Sequence, residues 1–444
     1  MATGWLERLG LHRPELRAWA LYDWANSVFM TTVVQVFPLF FVSYAASGLP
    51  PAVARSRFAI ATSLAVVLIG MAGPFLGAVA DVRAAKKRLL AAFLVLGVAA
   101  TAAMALVREG EWVLAAALFV LGNVGITATL AFYNALLPSI AAPEEVDRVS
   151  TAGFALGYLG GGLLLALDLA AIQSPAWFGL PDRPAATRAA FLSAAAWWAL
   201  FSLPLLRRVP EPAARLEPGE AGAGAARAAL RRLGRTLREL RRHPDAAWLL
   251  LAFVVYNDAI NTIIRMATAF GDELGIPQPS LIAAILMVQL VGVPFAFAFG
   301  MLAGRIGPKR AILLALAVYA AITVFGFRMR TADDFFLLAF LVATVQGGSQ
   351  ALSRSLFATL VPRHKAGEMF GIYAVFDRFG GAMGSLLFGL VLAATGSSRP
   401  AILALIVFFA LGALLLGRVD VRRGREAARE AEARAGGVAP GGRG

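Results

Sequence analysis

The chain has 444 residues, of which 59% are hydrophobic and 15% are charged, and its formal net charge is +14. Its mean hydropathy of +0.72 is too high for the surface of a water-soluble protein of this length, so we predict that much of the surface contacts lipid. The basic residues are spread over many short connections, which argues against nucleic-acid binding. The absence of cysteine excludes disulfides, thiolate metal sites and a cysteine nucleophile.

Long apolar segments recur along the whole sequence. A bilayer core of about 30 Å needs about 20 mostly apolar residues per helix. Such segments predict spans 1 to 6 near residues 18–46, 58–80, 89–107, 112–138, 149–173 and 189–206. They predict spans 7 to 12 near residues 247–270, 280–303, 311–327, 335–361, 367–395 and 400–417. The fold class that follows is an all-α integral membrane protein with twelve transmembrane helices.

The distribution of Lys and Arg predicts the orientation of these spans. Residues 1–17 are polar and the first apolar stretch is too long for the core of a cleavable signal, so we expect the N-terminus to be retained. Most of the 41 basic residues fall in the termini and in the connections on the same side as the N-terminus. Basic loops resist translocation, and we therefore expect a multi-pass protein of the cell (inner) membrane with both termini in the cytosol.

The polar intervals divide the chain into four parts. These are an N-terminal six-helix bundle (1–206), a basic cytosolic linker (207–246), a C-terminal six-helix bundle (247–420) and a cytosolic tail (421–444). In the linker, Leu230, Leu233, Leu237 and Leu240 recur at helical spacing between arginines, which predicts an amphipathic helix at the membrane surface. The tail is rich in Arg, Glu, Ala and Gly, and we expect it to be frayed or disordered.

The two halves of the sequence resemble each other. Polar clusters with the same Asp-x-x-Asn spacing occur in span 1 (Tyr22, Asp23, Asn26, Ser27) and in span 7 (Tyr256, Asp258, Asn261, Thr262). Glycine pairs follow at corresponding places in spans 5 and 11, at residues 160–161 and 380–381. These coincidences predict a duplicated six-span unit.

Two basic loops at matching places in the halves carry a recognisable pattern. The first, after span 2, contains Gly77, Asp81, Arg83, Lys86, Lys87 and Arg88, and the second, after span 8, contains Gly300, Arg305, Lys309 and Arg310. The pair resembles the Gly-x-x-x-Asp-Arg-x-Gly-Arg-Arg loop of the major facilitator superfamily. The resemblance implies two six-helix bundles that rock about a central site, with these loops as gates. The glycine permits close helix contact, and the carboxylate can cap a neighbouring helix or pair with arginine. The sequence departs from the pattern at Val82, Ala85 and Gly304, so we expect a weaker or different second gate.

A closer resemblance is carried by several segments in both halves. They are Trp19-Ala-Leu-Tyr-Asp-Trp-Ala-Asn-Ser27, Phe132-Tyr-Asn-Ala-Leu-Leu-Pro138, Gly153-Phe-Ala-Leu-Gly-Tyr-Leu-Gly-Gly161, Tyr256-Asn-Asp258 and Gln350-Ala-Leu-Ser-Arg-Ser355. Together they look like the vacuole effluxer family of the same superfamily. This resemblance implies transport of a small solute, and the fungal members of the family are tied to amino-acid export from the vacuole.

Charged and polar residues within the spans are the candidate binding residues, since a charge at the centre of a membrane helix costs about 2.5–3.5 kcal/mol on insertion scales. The predicted substrate- or proton-binding residues are Asp23, Asn26, Tyr133, Asn134, Tyr158, Asp258, Asn261, Arg265, Gln350, Arg354 and Asp377. For Asp23 and Asp258 the alternative is a structural ion pair or helix cap. For Arg354 it is a fixed salt bridge to Asp258 or Asp377. Asp168, near the outer end of span 5, is expected at the lipid–water interface.

The motifs that other membrane proteins would need are missing. The sequence has no Gly-x-x-x-x-Gly-Lys-Ser/Thr phosphate loop, no His-Glu-x-x-His and no Gly-x-Ser-x-Gly, so we predict neither an ATP-driven pump nor an enzyme, and neither a cofactor nor a metal. We predict proton-coupled export of amino acids or similar small polar solutes by a monomer in the lipid bilayer. Asp23 and Asp258 would be the proton or ammonium partners, and Arg354 the carboxylate partner. The alternatives are efflux of drug-like or sugar-like compounds, or a non-transporting receptor or lipid scramblase on the same scaffold.

Overall fold

The computed structural model describes residues 2–214, 229, 243–273, 275–379 and 382–436. All regular structure in these residues is helical, and eleven of the helices are long and apolar enough to cross a membrane. They are Pro14–Ala45, Pro51–Arg83, Lys86–Leu106, Trp112–Ile140, Val146–Gln173, Arg183–Arg208, Pro244–Ala267 (within a helix that continues to Glu273), Gln278–Ile306, Pro308–Arg328, Ala332–Leu360 and Ser398–Gly417. They correspond to predicted spans 1 to 10 and 12. The predicted amphipathic helix of the linker and residues 380–381 lie outside the described residues.

In span 11 the described residues form the helical segments Ala366–Phe379 and Ala382–Thr395. The prediction of twelve membrane segments is met when these two are counted as one span. Continuous helix is the expected form for each segment, because a helix satisfies its own backbone hydrogen bonds where lipid offers no partner.

Span 1 is the most irregular of the long helices. It contains two π-helical turns, Phe29–Val33 and Phe41–Ala45, on either side of Pro38. Proline supplies no N–H to the helical ladder, and wide turns of this kind occur frequently at functional sites. The first turn packs on span 5, where the Thr31 hydroxyl donates to the Gly161 carbonyl at 3.1 Å.

Both termini lie at one end of the helices, which we call the termini side. Near the N-terminal helix (Ala2–Arg8), the Arg148 guanidinium donates to the Glu7 carbonyl. Near the C-terminus, Arg425 Nε donates to Thr359 Oγ1 at 3.3 Å. Span 5 links the two regions, because Ser355 Oγ donates to Asp147 Oδ1.

The tail does not follow the prediction of disorder over residues 421–436. It forms a helix, Val421–Gly436, that packs on the ends of spans 7 and 10. Arg423 Nε lies 2.7 Å from Asp245 Oδ2, and the Arg363 N–H donates to Glu432 Oε1 at 2.8 Å. The composition was misleading because a buried carboxylate at the start of span 7 supplies the partner that the tail lacks by itself.

The start of the linker has a structural role at span 3. Glu211 accepts hydrogen bonds from the backbone N–H groups of Lys86 and Lys87, at 2.8 and 2.7 Å, and so caps this helix. Burial raises the pKa of the Glu211 carboxyl, and these N–H groups oppose that rise.

The two bundles close on each other at the termini side. Span 2 packs on the first segment of span 11 (Ala366–Phe379) and hardly touches the second segment (Ala382–Thr395). The contact is backbone to backbone: a Cβ on Gly77 would lie 2.1 Å from the Gly367 carbonyl oxygen, and one on Gly371 would lie 2.7 Å from that of Gly73. Small residues permit this approach. The bundles are therefore in a conformation closed at the termini side.

We expect Gly77→Ala to open the termini side, because its methyl group cannot fit against the Gly367 backbone. The chain contains no cysteine, so spin labels at Arg208→Cys and Gly417→Cys, exposed ends of spans 6 and 12, report the separation of the bundles. Electron–electron resonance should give longer label distances for Gly77→Ala. The matched control is Gly304→Ala, where a Cβ meets nothing within 4 Å, and equal distances in the two variants would contradict the assignment.

Candidate transport site between the bundles

A buried ion pair joins the two bundles. Both terminal nitrogens of Arg354 in span 10, Nη1 and Nη2, lie 3.0 Å from Asp23 Oδ2 in span 1. Asp23 is 6% exposed and Arg354 is 4% exposed. Asp23 lies about 14 Å along span 1 from its first residue, at 1.5 Å per residue, so the pair is well inside the membrane region.

The remaining hydrogen-bonding groups of Arg354 are satisfied by the N-terminal bundle. Arg354 Nε donates to Ser150 Oγ at 2.9 Å, and Nη2 donates to the Ser150 carbonyl at 2.8 Å. Nη1 also approaches Asn134 Oδ1 at 3.4 Å. On the other partner, Asn26 Nδ2 lies 3.4 Å from Asp23 Oδ1 and donates to the Tyr22 carbonyl. A buried ion pair is tolerated only when such additional bonds compensate for the lost water.

Aromatic rings enclose the guanidinium. The Arg354 Cζ atom lies 4.5 Å from the ring centre of Phe154, 4.8 Å from that of Trp19 and 5.5 Å from that of Tyr133. Trp19 and Tyr133 stack with ring centres 4.3 Å apart. A desolvated guanidinium over aromatic faces gains about 2 kcal/mol per contact, so the rings stabilise the cation while excluding water.

The glycines of span 5 make room for the ion pair. A Cβ on Gly153 would lie 2.4 Å from Asp23 Oδ2 and 3.1 Å from Arg354 Nη2. One turn later, a Cβ on Gly157 would lie 2.6 Å from Ser27 Oγ. Glycine is therefore required at these positions of span 5 for the carboxylate of span 1 to reach span 10.

The partner of Arg354 differs from the alternative in the sequence analysis. A fixed salt bridge to Asp258 or Asp377 was expected as the structural role, and the structure pairs Arg354 with Asp23 instead. Both acids predicted as partners belong to the same bundle as Arg354. The sequence could not reveal that the two halves approach each other closely enough for a pair between them.

Asp258 takes a different position from its counterpart Asp23. It is fully buried in span 7 and accepts hydrogen bonds from the backbone N–H groups of Met383, at 3.2 Å, and Gly384, at the start of the second segment of span 11. This is the helix-cap geometry that was left open as an alternative. A Cβ on Gly384 would lie 2.4 Å from Thr262 Oγ1, which parallels the contact of Gly157 with Ser27 in the first half.

A second polar cluster lies in the C-terminal bundle. Asn257 Nδ2 donates to Asp377 Oδ1 at 3.0 Å, and Gln350 Nε2 donates to Asn257 Oδ1 at 3.3 Å. The predicted stripe of Asp258, Asn261 and Arg265 on span 7 is only partly a common environment, because Asn261 is half-buried and Arg265 is exposed.

Tyr158 connects the bundles beside this site. Its ring contacts two glycines of the opposite bundle. A Cβ added to Gly292 in span 8 would lie 3.1 Å from the Tyr158 ring, and one added to Gly347 in span 10 would lie 2.4 Å from it. The residue predicted to line the cavity therefore occupies a slot between spans 8 and 10.

The first gating loop is built around Asp81. Its two carboxylate oxygens accept the backbone N–H groups of Gly367 and Glu368, both at 3.0 Å, and thereby cap the first segment of span 11. Lys86 Nζ lies 2.8 Å from Asp81 Oδ1 and is buried. The cation is a lysine rather than an arginine, and Arg83 and Arg88 are exposed. The loop ties the N-terminal bundle to the C-terminal bundle at the termini side.

In the second gating loop, Lys309 makes its described contacts within its own bundle, whereas Gly300 faces the other bundle. Lys309 Nζ donates to the carbonyls of Gly417 and Val419, at 2.9 and 2.7 Å, and so holds the end of span 12. Arg305 and Arg310 are exposed. Gly300 faces span 5, where a Cβ would lie 2.2 Å from Thr151 Oγ1.

Asp168 contradicts the expectation of an interfacial side chain. It is 6% exposed, and its Oδ1 accepts a hydrogen bond from Ser193 Oγ of span 6 at 2.9 Å. Its position near the end of span 5 indicated lipid contact, but the carboxylate turns into the N-terminal bundle.

Sequence reasoning did not assign a site role to four residues of these clusters. Ser150 and Phe154 contact Arg354. Lys86 pairs with Asp81, and Asn257 donates to Asp377. Phe154 and Asn257 stood within the recognised segments, and Lys86 within the first gating loop. Ser150 had no signal, because a serine near a helix end is equally common without any role.

The fold is that of a major facilitator superfamily transporter. The crystal structure of the proton:xylose symporter XylE bound to 6-bromo-6-deoxy-D-glucose superposes with a TM-score of 0.69 at 15% identity, over 96% of this chain and 99% of that one. The human organic anion transporter MFSD10 (TETRAN) gives a TM-score of 0.68 at 15% identity, over 91% and 99%. At these identities the comparison concerns the fold alone. The fold and the buried polar site between the bundles therefore define the class as an integral membrane protein with the major facilitator fold.

The family follows from the sequence comparison. The family model "Vacuole effluxer Atg22 like" matches residues 12–429, and the chain therefore belongs to that family. The uncharacterized MFS-type transporter YxiO of Bacillus subtilis (strain 168) is 36% identical over 406 residues, which cover 90% of this chain and 94% of that protein. Autophagy-related protein 22 of Yarrowia lipolytica is 26% identical over 311 residues, covering 63% of this chain and 51% of that protein. The match therefore spans only about half the length of this fungal relative.

The ion pair predicts a strong coupling between two substitutions. Asp23→Asn leaves the Arg354 charge unpaired, and Arg354→Gln leaves the Asp23 charge unpaired. We expect each variant to lower the free energy of unfolding by about 3–5 kcal/mol. The double variant should lose less than the sum, because it leaves no unpaired charge. Thermal unfolding of the purified protein in detergent measures this. The control is Arg328→Gln at an exposed position, and additive losses would contradict a direct pair.

Proposed function

We propose that this transporter exports amino acids or similar small polar solutes in exchange for protons. The observation that carries the proposal is the buried Asp23–Arg354 pair between the bundles. An amino acid bears one carboxylate and one ammonium group, so it can replace both partners at once. Arg354 would bind the solute carboxylate and Asp23 the ammonium group.

The pair also supplies a coupling step. Opening the termini side separates span 1 from span 10, and two buried charges would then lose their compensation. A proton on Asp23 removes one of these charges and lets the bundles part. In the open state Asp23 releases the proton and the solute takes its place between the two side chains. When the termini side closes again with solute bound, the solute can leave on the opposite side, so proton entry drives solute export.

Asp258 is the second proposed acid of the cycle. Its carboxylate holds the backbone N–H groups that begin the second segment of span 11. Protonation weakens these charge-assisted bonds and would free that segment to move. With the termini in the cytosol, as the basic loops predict, the present conformation is closed toward the cytosol.

A second candidate is export of an amphipathic organic anion. The three aromatic rings around Arg354 favour it, since they offer apolar surface beside a single cation. The fold relative MFSD10 is an organic anion transporter, and the relative XylE is a proton:xylose symporter, so the scaffold accommodates solutes of different classes. A receptor or lipid scramblase on the same scaffold is the third reading, and it predicts no concentrative uptake.

The test is uptake of radiolabelled amino acids into everted vesicles with an acidified interior. We expect accumulation by the wild type that collapses with the pH gradient, and loss of that gradient dependence in Asp23→Asn and Asp258→Asn. Asp333→Asn, the same change at an exposed acid, is the matched control and should accumulate like wild type.

Each other outcome removes a specific part of the proposal. Gradient-driven accumulation by Asp23→Asn would exclude the coupling role of that carboxylate. Wild-type vesicles that accumulate no amino acid above empty vesicles would exclude the amino-acid assignment. Accumulation of an organic anion instead, with dependence on Arg354, would select the second candidate.

A further inference from the structure

The N-terminal bundle contains a second buried acid that the alternating-access cycle above does not use. Asp168 lies in span 5 and is 6% exposed. It is about 22 Å along the helix from Gly153, which contacts the central ion pair, and on the opposite side from the termini. The carboxylate is therefore separate from the Asp23–Arg354 site.

Among the described residues, hydroxyl groups of spans 1 and 6 face this carboxylate. Ser193 Oγ of span 6 donates to Oδ1 at 2.9 Å. From span 1 the Thr32 hydroxyl approaches the same carboxyl without a hydrogen bond of ordinary geometry, and Oδ2 has no hydrogen-bond partner among the described residues. Thr32 and Asp168 are both buried.

Two charged groups of the neighbouring helices are engaged elsewhere. On span 6, the Arg188 guanidinium lies 5.8 Å from the ring centre of Tyr44. On span 1, Asp23 is held by Arg354. Span 8 presents the uncharged Gln289 to span 5 at Gly162. Among the described residues, no Lys, Arg or His forms an ion pair with Asp168.

We propose that Asp168 is a proton-binding site of the transporter, reached from the side opposite the termini. A carboxylate buried with neither a cation nor a full set of donors is costly in its ionised form. A proton neutralises the carboxylate and turns the unpartnered oxygen into an O–H donor.

The local backbone gives the proton a means of acting on the central site. Thr32 belongs to the π-helical turn Phe29–Val33 of span 1, and that turn follows Asp23 on the same helix. Such turns are positions where a helix can change its winding. Protonation of Asp168 changes what the Thr32 hydroxyl meets, so the turn can respond and shift the part of span 1 that carries Asp23. The inference thus deepens the proposed function by adding a proton site to it.

The experiment is a pH titration by infrared difference spectroscopy on the purified, reconstituted protein. A protonated carboxyl group has a carbonyl stretch that an ionised one lacks. We expect a band that disappears from mildly acidic to mildly alkaline pH in wild type and is missing in Asp168→Asn. Asp333→Asn is the matched control, because it removes an exposed acid and should keep the band. Ser193→Ala removes a donor to the ionised form, so its band should persist to higher pH.

The overturning results are equally direct. Identical titrations of wild type and Asp168→Asn would exclude proton binding at Asp168, as would a band assigned to Asp168 that does not change with pH. Loss of the band on adding sodium at constant pH would replace the proton by a metal cation and overturn the proposal. None of these readouts needs the transported solute, so failure of the amino-acid assignment and failure of the Asp168 proposal are distinguishable.

Discussion

A carboxylate and a guanidinium are paired inside the membrane region, and the packing around them follows from the cost of placing charge there. Removing either partner leaves a buried charge, which costs about 3–5 kcal/mol. A serine, two asparagines and three aromatic rings surround the pair and compensate for the lost water. Because Asp23 and Arg354 belong to different bundles, the same bond that stabilises the site also keeps the termini side closed.

Close helix contact is the second condition for this arrangement. At the gate, Gly77 lets span 2 reach the backbone of span 11, so that Asp81 can cap that helix. At the centre, Gly153 lets Asp23 reach Arg354. A side chain at either glycine would hold the bundles apart, so the closed state depends on both contacts.

The duplicated halves share the same helix contacts, but their corresponding acids bind different partners. Gly157 lies against Ser27 and Gly384 lies against Thr262, in matching helices of the two bundles. Yet Asp23 binds an arginine of the other bundle, whereas Asp258 accepts backbone N–H groups within its own. The same acid at the same place in the repeat thus joins two bundles in one half and binds backbone N–H groups of its own bundle in the other. The second gating loop has Gly304 where the pattern has a carboxylate.

The sequence by itself determined the all-α membrane fold and the family, and it singled out Asp23 and Arg354 as candidate binding residues. Hydrophobic length and intramembrane charge are local properties, and each is written in consecutive residues. The tertiary structure decided which charges pair, that Lys86 rather than an arginine holds Asp81, that Asp168 turns inward and that residues 421–436 form a docked helix. Those outcomes depend on which helices touch and at what height, and partners hundreds of residues apart along the chain are fixed only when the bundles close.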